Sequence, residues 1–236
     1  MRDLRDMTEF YASRGGRVAA RMLRRPIAAL WPDVSRLHVL GLGHTQPFLS
    51  LWEKQARVCI AGEIRTAQSR ESRSIHLLAS ASCLVQENRL PFADLGFDRI
   101  LLSHALETST NPPKLLREVW RVLRDDGRLM LMVPNRRGLW AHAEHTPFGH
   151  GAPASKAQIA RLLAEALFRV ENTVGALWLP PGDMRLLLRC GNLVERAGSL
   201  VAPQFAGVLL IEAVKDVYAA LPTAKRAQRR VLAAVQ

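Results

Sequence analysis

The sequence predicts an α/β protein built on a doubly wound, mostly parallel sheet with helices on both faces, and three observations lead there. FDRILLS at 97–103 and GRLMLMVP at 127–134 are apolar runs without polar alternation, the pattern of strands covered on both faces. Between them Leu115, Leu116, Val119, Trp120 and Leu123 recur at helical spacing. Strand-like and helix-like segments then alternate through most of the chain, which selects a layered sheet over a bundle or a sandwich.

Residues 4–30 read as two helices broken near Gly15-Gly16. LHVLGL at 37–42 and RVCIA at 57–61 are candidate strands on either side of a short helix from Pro47 to about Gln55, and residues 83–87 form a weaker strand. Asn111-Pro112-Pro113 supplies an N-cap followed by proline in the first turn, where a missing N–H costs nothing. Asp125-Asp126-Gly127 is expected to close that helix with a turn. Strand, helix and strand then make a parallel pair joined by a right-handed crossover. Ser155 and Gln158 fit a capping box that opens a helix with Ile159, Leu162, Leu163, Ala166 and Leu167 on its apolar face. Residues 168–179 are expected extended, 183–196 helical, and GVLLIEA at 207–213 a strand.

The chain has 236 residues, 33 Lys and Arg against 21 Asp and Glu for a net charge of +12, and 48% hydrophobic residues. That balance suits a domain with a full core and excludes intrinsic disorder, collagen and coiled coil. No uncharged stretch, the apolar run at 205–211 included, is long enough to span a bilayer. Cys59, Cys83 and Cys190 are widely spaced and odd in number, which argues against a disulfide framework or a zinc ribbon and for a reducing compartment. Charges near Met1, where a signal peptide needs an apolar core, add to the expectation of a cytoplasmic protein. The expected organisation is a helical cap over 1–36, a sheet domain over 37–218 and a basic tail over 219–236. Only five of the 33 cations are Lys and the arginines are scattered, so nucleic-acid contact stands as an alternative to a solvated basic surface.

In open sheets of this kind ligands bind beyond the carboxyl ends of the strands, where the strand order reverses. That rule selects residues 43–47, Gly62-Glu63, residues 86–91, Ser103-His104 and residues 135–140. Leu90-Pro91-Phe92, Phe97-Asp98, LREVWRVL at 116–123 and GRLMLMVPN at 127–135, in that order and spacing, resemble the class I S-adenosylmethionine-dependent methyltransferases, especially the type 11 methyltransferase-domain group. The resemblance extends over roughly residues 37–180. It implies a Rossmann-like methyltransferase fold with S-adenosylmethionine as cofactor. The methionine end would lie over the first strand-to-helix turn, the ribose at an acid after the second strand, and the adenine near the residues before Leu90. The cofactor-binding residues expected on that basis are Gly41, Gly43, His44, Gln46, Glu63, Gln86, Glu87, Ser103 and His104. Where the family has an acid followed by Gly-x-Gly-x-Gly, Gly41 stands at the acid and only Gly43 matches a glycine.

Methyl transfer from a sulfonium is an in-line displacement at an activated carbon, so alignment carries most of the rate and no nucleophilic side chain is required. A base is needed only where the acceptor holds its proton until late, and His104 and His150 are candidates. The connection from 135 to 151 is dense in polar and aromatic groups. Asn135, Arg136, Arg137, Trp140 and His150 are expected to face the acceptor, with an arginine holding an anion and Trp140 stacking. His142, Glu144, His145 and His150 match no strong zinc spacing, so no metal is expected. Arg14, Arg17, Arg21, Arg24 and Arg25 are expected on a solvated helix face. The expected activity is methyl transfer to a small-molecule or macromolecular acceptor, with a catalytically silent binding protein of the same fold, or an RNA-binding protein, as alternatives.

Overall fold

The computed structural model describes residues 4–64, 81–143, 146–149, 154–178 and 205–217. The helix expected over 183–196, the basic tail and His150 lie outside the described residues. Seven strands form one sheet: β1 (His38–Gly43), β2 (Val58–Ile64), β3 (Ala81–Val85), β4 (Phe97–Ser103), β5 (Leu123–Pro134), β6 (Phe168–Ala176) and β7 (Val208–Lys215). Their order is β3-β2-β1-β4-β5-β7-β6. β7 runs antiparallel to both β5 and β6, and the remaining pairings are parallel.

Alternation along each central strand sends side chains into two separate cores. Leu40, Leu42, Ile100, Leu102, Leu129 and Leu131 pack on one face against Leu115, Leu116 and Val119 of α4 (Pro112–Val122) and Ile159 and Leu163 of α5 (Lys156–Glu165). Val39, Leu101, Met130 and Met132 pack on the other against Leu23 and Ile27 of α2 (Arg14–Leu30) and Phe48 of α3 (Gln46–Leu49). The runs at 97–103 and 127–134 look unbroken because both of their faces are buried in this way.

The caps form as the sequence predicts. Asn111 Oδ1 accepts from Lys114 N at 3.1 Å, and Ser155 and Gln158 close a reciprocal capping box. Three boundaries differ. The two N-terminal helices part at Ser13 rather than at the glycines: α1 (Leu4–Ala12) ends there, and the Ser13 hydroxyl caps α2 by accepting from Gly16 N. Gly16 instead lets the corner close, since a Cβ on it would lie 1.9 Å from Phe10 O. The short helix after β1 stops at Leu49 and continues as turns. The helix before β5 ends at Val122, and Asp125-Asp126-Gly127 falls inside β5, where the register with β4 shifts.

In the middle of the sheet, buried Glu212 on β7 accepts from Trp31 Nε1 at 2.9 Å and Asn172 Nδ2 at 2.7 Å and pairs with Arg128 at 3.2 Å. The charged group is therefore fully partnered, as a buried carboxylate must be. Arg14, Arg17 and Arg21 are exposed along α2, while Arg24 turns back to donate to Pro47 O and Ser50 Oγ.

Candidate functional site

The strand order reverses between β1 and β4, whose last residues, Gly43 and Ser103, are in register. A crevice in an open sheet opens at this point. Gly43 has φ +84°, and a Cβ on it would sit 2.3 Å from Ser103 O. The next residue, His44, donates its backbone N–H to that same carbonyl at 2.9 Å. Glycine is required here because the turn crosses the end of β4 at backbone contact, a demand of the protein itself. At Gly41 the space a Cβ would take is filled by Thr45 Oγ1 at 2.3 Å and Leu49 Cδ1 at 2.8 Å. The carboxylate expected of the family at that position is replaced by a threonine hydroxyl reaching in from the following turn.

His44 is buried, and its ring lies 5.1 Å from that of Tyr11 of α1 at an interplanar angle of 14°. Burial, with neighbouring His104 adding to it, lowers the His44 pKa to about 3, so this imidazole is neutral at physiological pH. Tyr11 Oη is 2.9 Å from His104 Nε2, and His104 Nδ1 is 3.0 Å from Glu107 Oε1. All three residues of this chain are buried. Burial, then the charge of Glu107, pushes the Tyr11 phenol well above its usual range, so it keeps its proton. His104 holds φ +53°, a left-handed conformation uncommon outside glycine that costs about 1–3 kcal/mol. Phe48 meets the Tyr11 ring edge-on at 5.9 Å, and Phe148 lies 4.9 Å from the His104 ring.

Three buried polar atoms at these strand ends have no partner among the described residues: Thr45 Oγ1, Ser103 Oγ and Glu107 Oε2. Native interiors satisfy nearly all such groups, so unpaired ones gathered at a switch point mark a place where a polar ligand fits.

Glu63, near the carboxyl end of β2, accepts from Gln46 Nε2 at 3.2 Å, and burial raises its carboxyl pKa. Gln86 is exposed and bridged to Arg89. Glu87 is committed elsewhere: it accepts from Ser109 Oγ at 2.6 Å, from Thr110 N at 3.2 Å and from Thr110 Oγ1, fastening the end of β3 to the loop that caps α4. Burial pushes this carboxyl up, and the hydrogen bonds from Ser109 and Thr110 outweigh it and bring the pKa down.

Two residues expected to face the acceptor are held by contacts within the protein. Asn135 is buried, donates to Ala206 O at 2.7 Å and accepts from Arg137 N at 3.3 Å, pinning the loop after β5 beside the start of β7. Trp140 is buried rather than offered for stacking, because its indole lies where a Cβ on Gly207 would go, 2.3 Å from Cδ1, and edge-on to Phe148 at 5.4 Å. Arg136 and Arg137 are exposed. Among the described residues no three His, Cys, Asp or Glu gather as a metal site, and no helix is long and apolar enough to cross a membrane.

The sequence did not point to Tyr11 or Glu107, and it marked Thr45 only as part of the segment 43–47. Glu107 stands three residues after His104, and Tyr11 is one of only two tyrosines, set on the apolar side of an amphipathic segment. Those signals are visible afterwards, but neither says that residue 11 folds onto residue 104.

A seven-stranded sheet with one antiparallel strand slotted between β5 and β6, together with a glycine turn at the β1/β4 switch point, defines the class I S-adenosylmethionine-dependent methyltransferase fold. Residues 40–131 match the model of the methyltransferase-domain family. Among solved structures, a Haloferax volcanii methyltransferase in complex with the Trm112 activator superposes with a TM-score of 0.63 at 18% identity, over 91% of this chain and 99% of that one. The 1,6-didemethyltoxoflavin N1-methyltransferase of Burkholderia thailandensis, with 1,6-didemethyltoxoflavin and S-adenosylhomocysteine bound, gives 0.56 at 15% identity over 84% and 78%. These likenesses concern the fold. The uncharacterized protein YafS of Escherichia coli is 55% identical over 42 residues, 18% of this chain and 18% of its own length. The uncharacterized protein Rv2003c of Mycobacterium tuberculosis is 28% identical over 136 residues, 55% of this chain. The chain spans less than half of either relative, 18% of the first and 45% of the second.

Proposed function

We propose that the protein is an S-adenosylmethionine-dependent methyltransferase whose cofactor lies across the carboxyl ends of β2, β1 and β4. The observation that carries this reading is the set of buried, unpaired hydroxyls, Thr45 Oγ1 and Ser103 Oγ, on either side of the Gly43 turn. They fit the polar methionine end of the cofactor, and Glu63 beside Gln46 fits the ribose hydroxyls in charge-assisted bonds. Gln86, exposed at the end of β3, fits the adenine amine through its side-chain carbonyl. The cofactor supplies an activated methyl group. The chain's own residues hold acceptor and donor in line and exclude water. The acceptor is a small molecule or a macromolecule, and the arginines of α2 offer a face for an anionic one. Calorimetry with S-adenosylhomocysteine tests the reading: saturable binding that weakens at least tenfold in Glu63→Ala supports it, and no binding at millimolar ligand overturns it.

A second reading, a catalytically silent binding protein of the same fold, draws on the glycine at position 41 and on the way Tyr11 and His44 close the switch point. Methyl transfer from labelled S-adenosylmethionine to any component of a cell extract would remove it.

A further inference from the structure

The most densely bonded chemistry at the switch point is the Glu107–His104–Tyr11 chain. Glu107 Oε1 lies 3.0 Å from Nδ1 of His104, and a carboxylate there accepts the Nδ1 hydrogen. The tautomer with its hydrogen on Nδ1 leaves Nε2 as an acceptor, and the Tyr11 phenol stands 2.9 Å from it. A histidine oriented by a buried carboxylate, with its second nitrogen directed at a hydroxyl, is the arrangement of a general base rather than of a hinge or strut. The hydroxyl at this base belongs to the protein itself. Its ring is held in an aromatic slot, stacked on neutral His44 and met by the edge of Phe48. α1, which carries it, joins the rest of the fold through one non-helical residue, Ser13.

We propose that the slot filled by Tyr11 is the acceptor seat, that the acceptor it takes is a phenol, and that His104, backed by Glu107, receives the phenol's proton. This rests on the methyl-transfer reading above. Tyr11 shows the pose: ring on His44, hydroxyl on His104 Nε2. The phenolic substrate takes that pose when α1 lifts away from Ser13. As the acceptor oxygen bonds the methyl carbon, its O–H bond breaks and the proton goes to Nε2. The electron pair of the broken carbon–sulfur bond stays on the donor sulfur, and the positive charge ends on an imidazolium paired with Glu107. The strained backbone of His104 fixes where Nε2 points, and strain of this kind gathers at functional sites.

The test uses the full chain with Tyr11→Ala and p-cresol, the tyrosine side chain as a free molecule, against 4-methylanisole, which has the same ring without the O–H. Calorimetry is expected to show p-cresol binding at least tenfold tighter than 4-methylanisole. Nitrogen-15 NMR is expected to show His104 with Nδ1 protonated and Nε2 shifting only with p-cresol. With S-adenosylmethionine, p-cresol is expected to yield 4-methylanisole at least a hundredfold faster than in Tyr11→Ala/His104→Gln. Equal binding of the two rings, a His104 protonated on Nε2, or seated p-cresol that is never methylated while S-adenosylhomocysteine still binds would each overturn the proposal. Loss of S-adenosylhomocysteine binding in the wild-type chain overturns the methyl-transfer reading instead, and the NMR and ring discrimination still decide the seat. Should Tyr11→Ala not fold, Tyr11→Leu, which keeps apolar contact with Phe48, carries the same measurements.

Discussion

Gly43→Ala puts a number on the close approach of the first turn to β4. Residue 43 sits at φ +84°, where a side chain costs about 1–2 kcal/mol in backbone energy. The added Cβ would stand 2.3 Å from Ser103 O and 3.0 Å from Ala105 Cβ. The carbonyl is backbone in a central strand and cannot swing aside, so the turn must lift. Lifting it breaks the 2.9 Å bond from His44 N to Ser103 O. A lost hydrogen bond that leaves a buried group unpaired costs about 1–3 kcal/mol. The two together give a destabilisation of about 2–5 kcal/mol. Urea unfolding followed by tryptophan fluorescence reads it directly: with a slope of about 2 kcal/mol/M, the midpoint falls by about 1–2.5 M. Gly96→Ala is the control, because its Cβ would meet only Ala93 O, at 3.1 Å, in a turn before β4. It is expected to lose less than about 1 kcal/mol, in keeping with substitutions away from strained sites. If Gly43→Ala unfolds within 1 kcal/mol of wild type, the carbonyl contact does not set the turn. It also follows that cofactor loss in a position-43 variant reports a lifted turn rather than a filled pocket.

Other consequences are equally direct. His44 titrates near 3 in the folded chain against 6.5 when unfolded, so its contribution to stability is complete above pH 6.5 and is lost as the pH falls toward 3. At pH 5 that loss is about 2 kcal/mol, and His44→Phe, which keeps the ring stack, is expected to abolish this part of the acid sensitivity in urea unfolding at pH 5 and 7. Identical pH dependence in the two chains would refute it. Glu87 has its carboxyl pKa lowered from 4.5. Its stabilisation is present above that value and lost as the pH falls through the folded one, so the Tm deficit of Glu87→Gln at pH 7 is expected to shrink as the pH is lowered below 4.5. Glu212→Ala strands the Trp31 indole N–H, the Asn172 amide and Arg128, and is expected to cost about 3 kcal/mol in the same unfolding assay.

The central sheet was legible because its strands carry their burial in plain sequence. Leu101, Met130 and Met132 serve one core and Ile100, Leu129 and Leu131 the other, so apolarity without alternation could mean only coverage on both sides. The caps at Asn111 and Ser155 were legible because capping is local chemistry. The site was read only in outline. The sequence placed Gly43, Ser103 and His104 at strand ends, but it could not place Tyr11, which arrives from 93 residues away. The partners that Glu87 and Trp140 find within the protein were hidden for a related reason. A polar or aromatic residue in a loop is equally suited to a ligand or to another loop, and Ser109, Thr110 and Gly207 are the partners that decide it.

The bond from Trp31 to Glu212 joins the start of the described chain to its last strand across 181 residues. On a ribosome adding about 5–20 residues per second, the interval between those two side chains leaving the exit tunnel is on the order of 10–40 s. Throughout that interval the inward face of α2, with Leu23 and Ile27, waits without the strand that covers it. Earlier strands cover part of that face, and the part that β7 covers stays exposed until the end of synthesis, so slower translation lengthens its exposure.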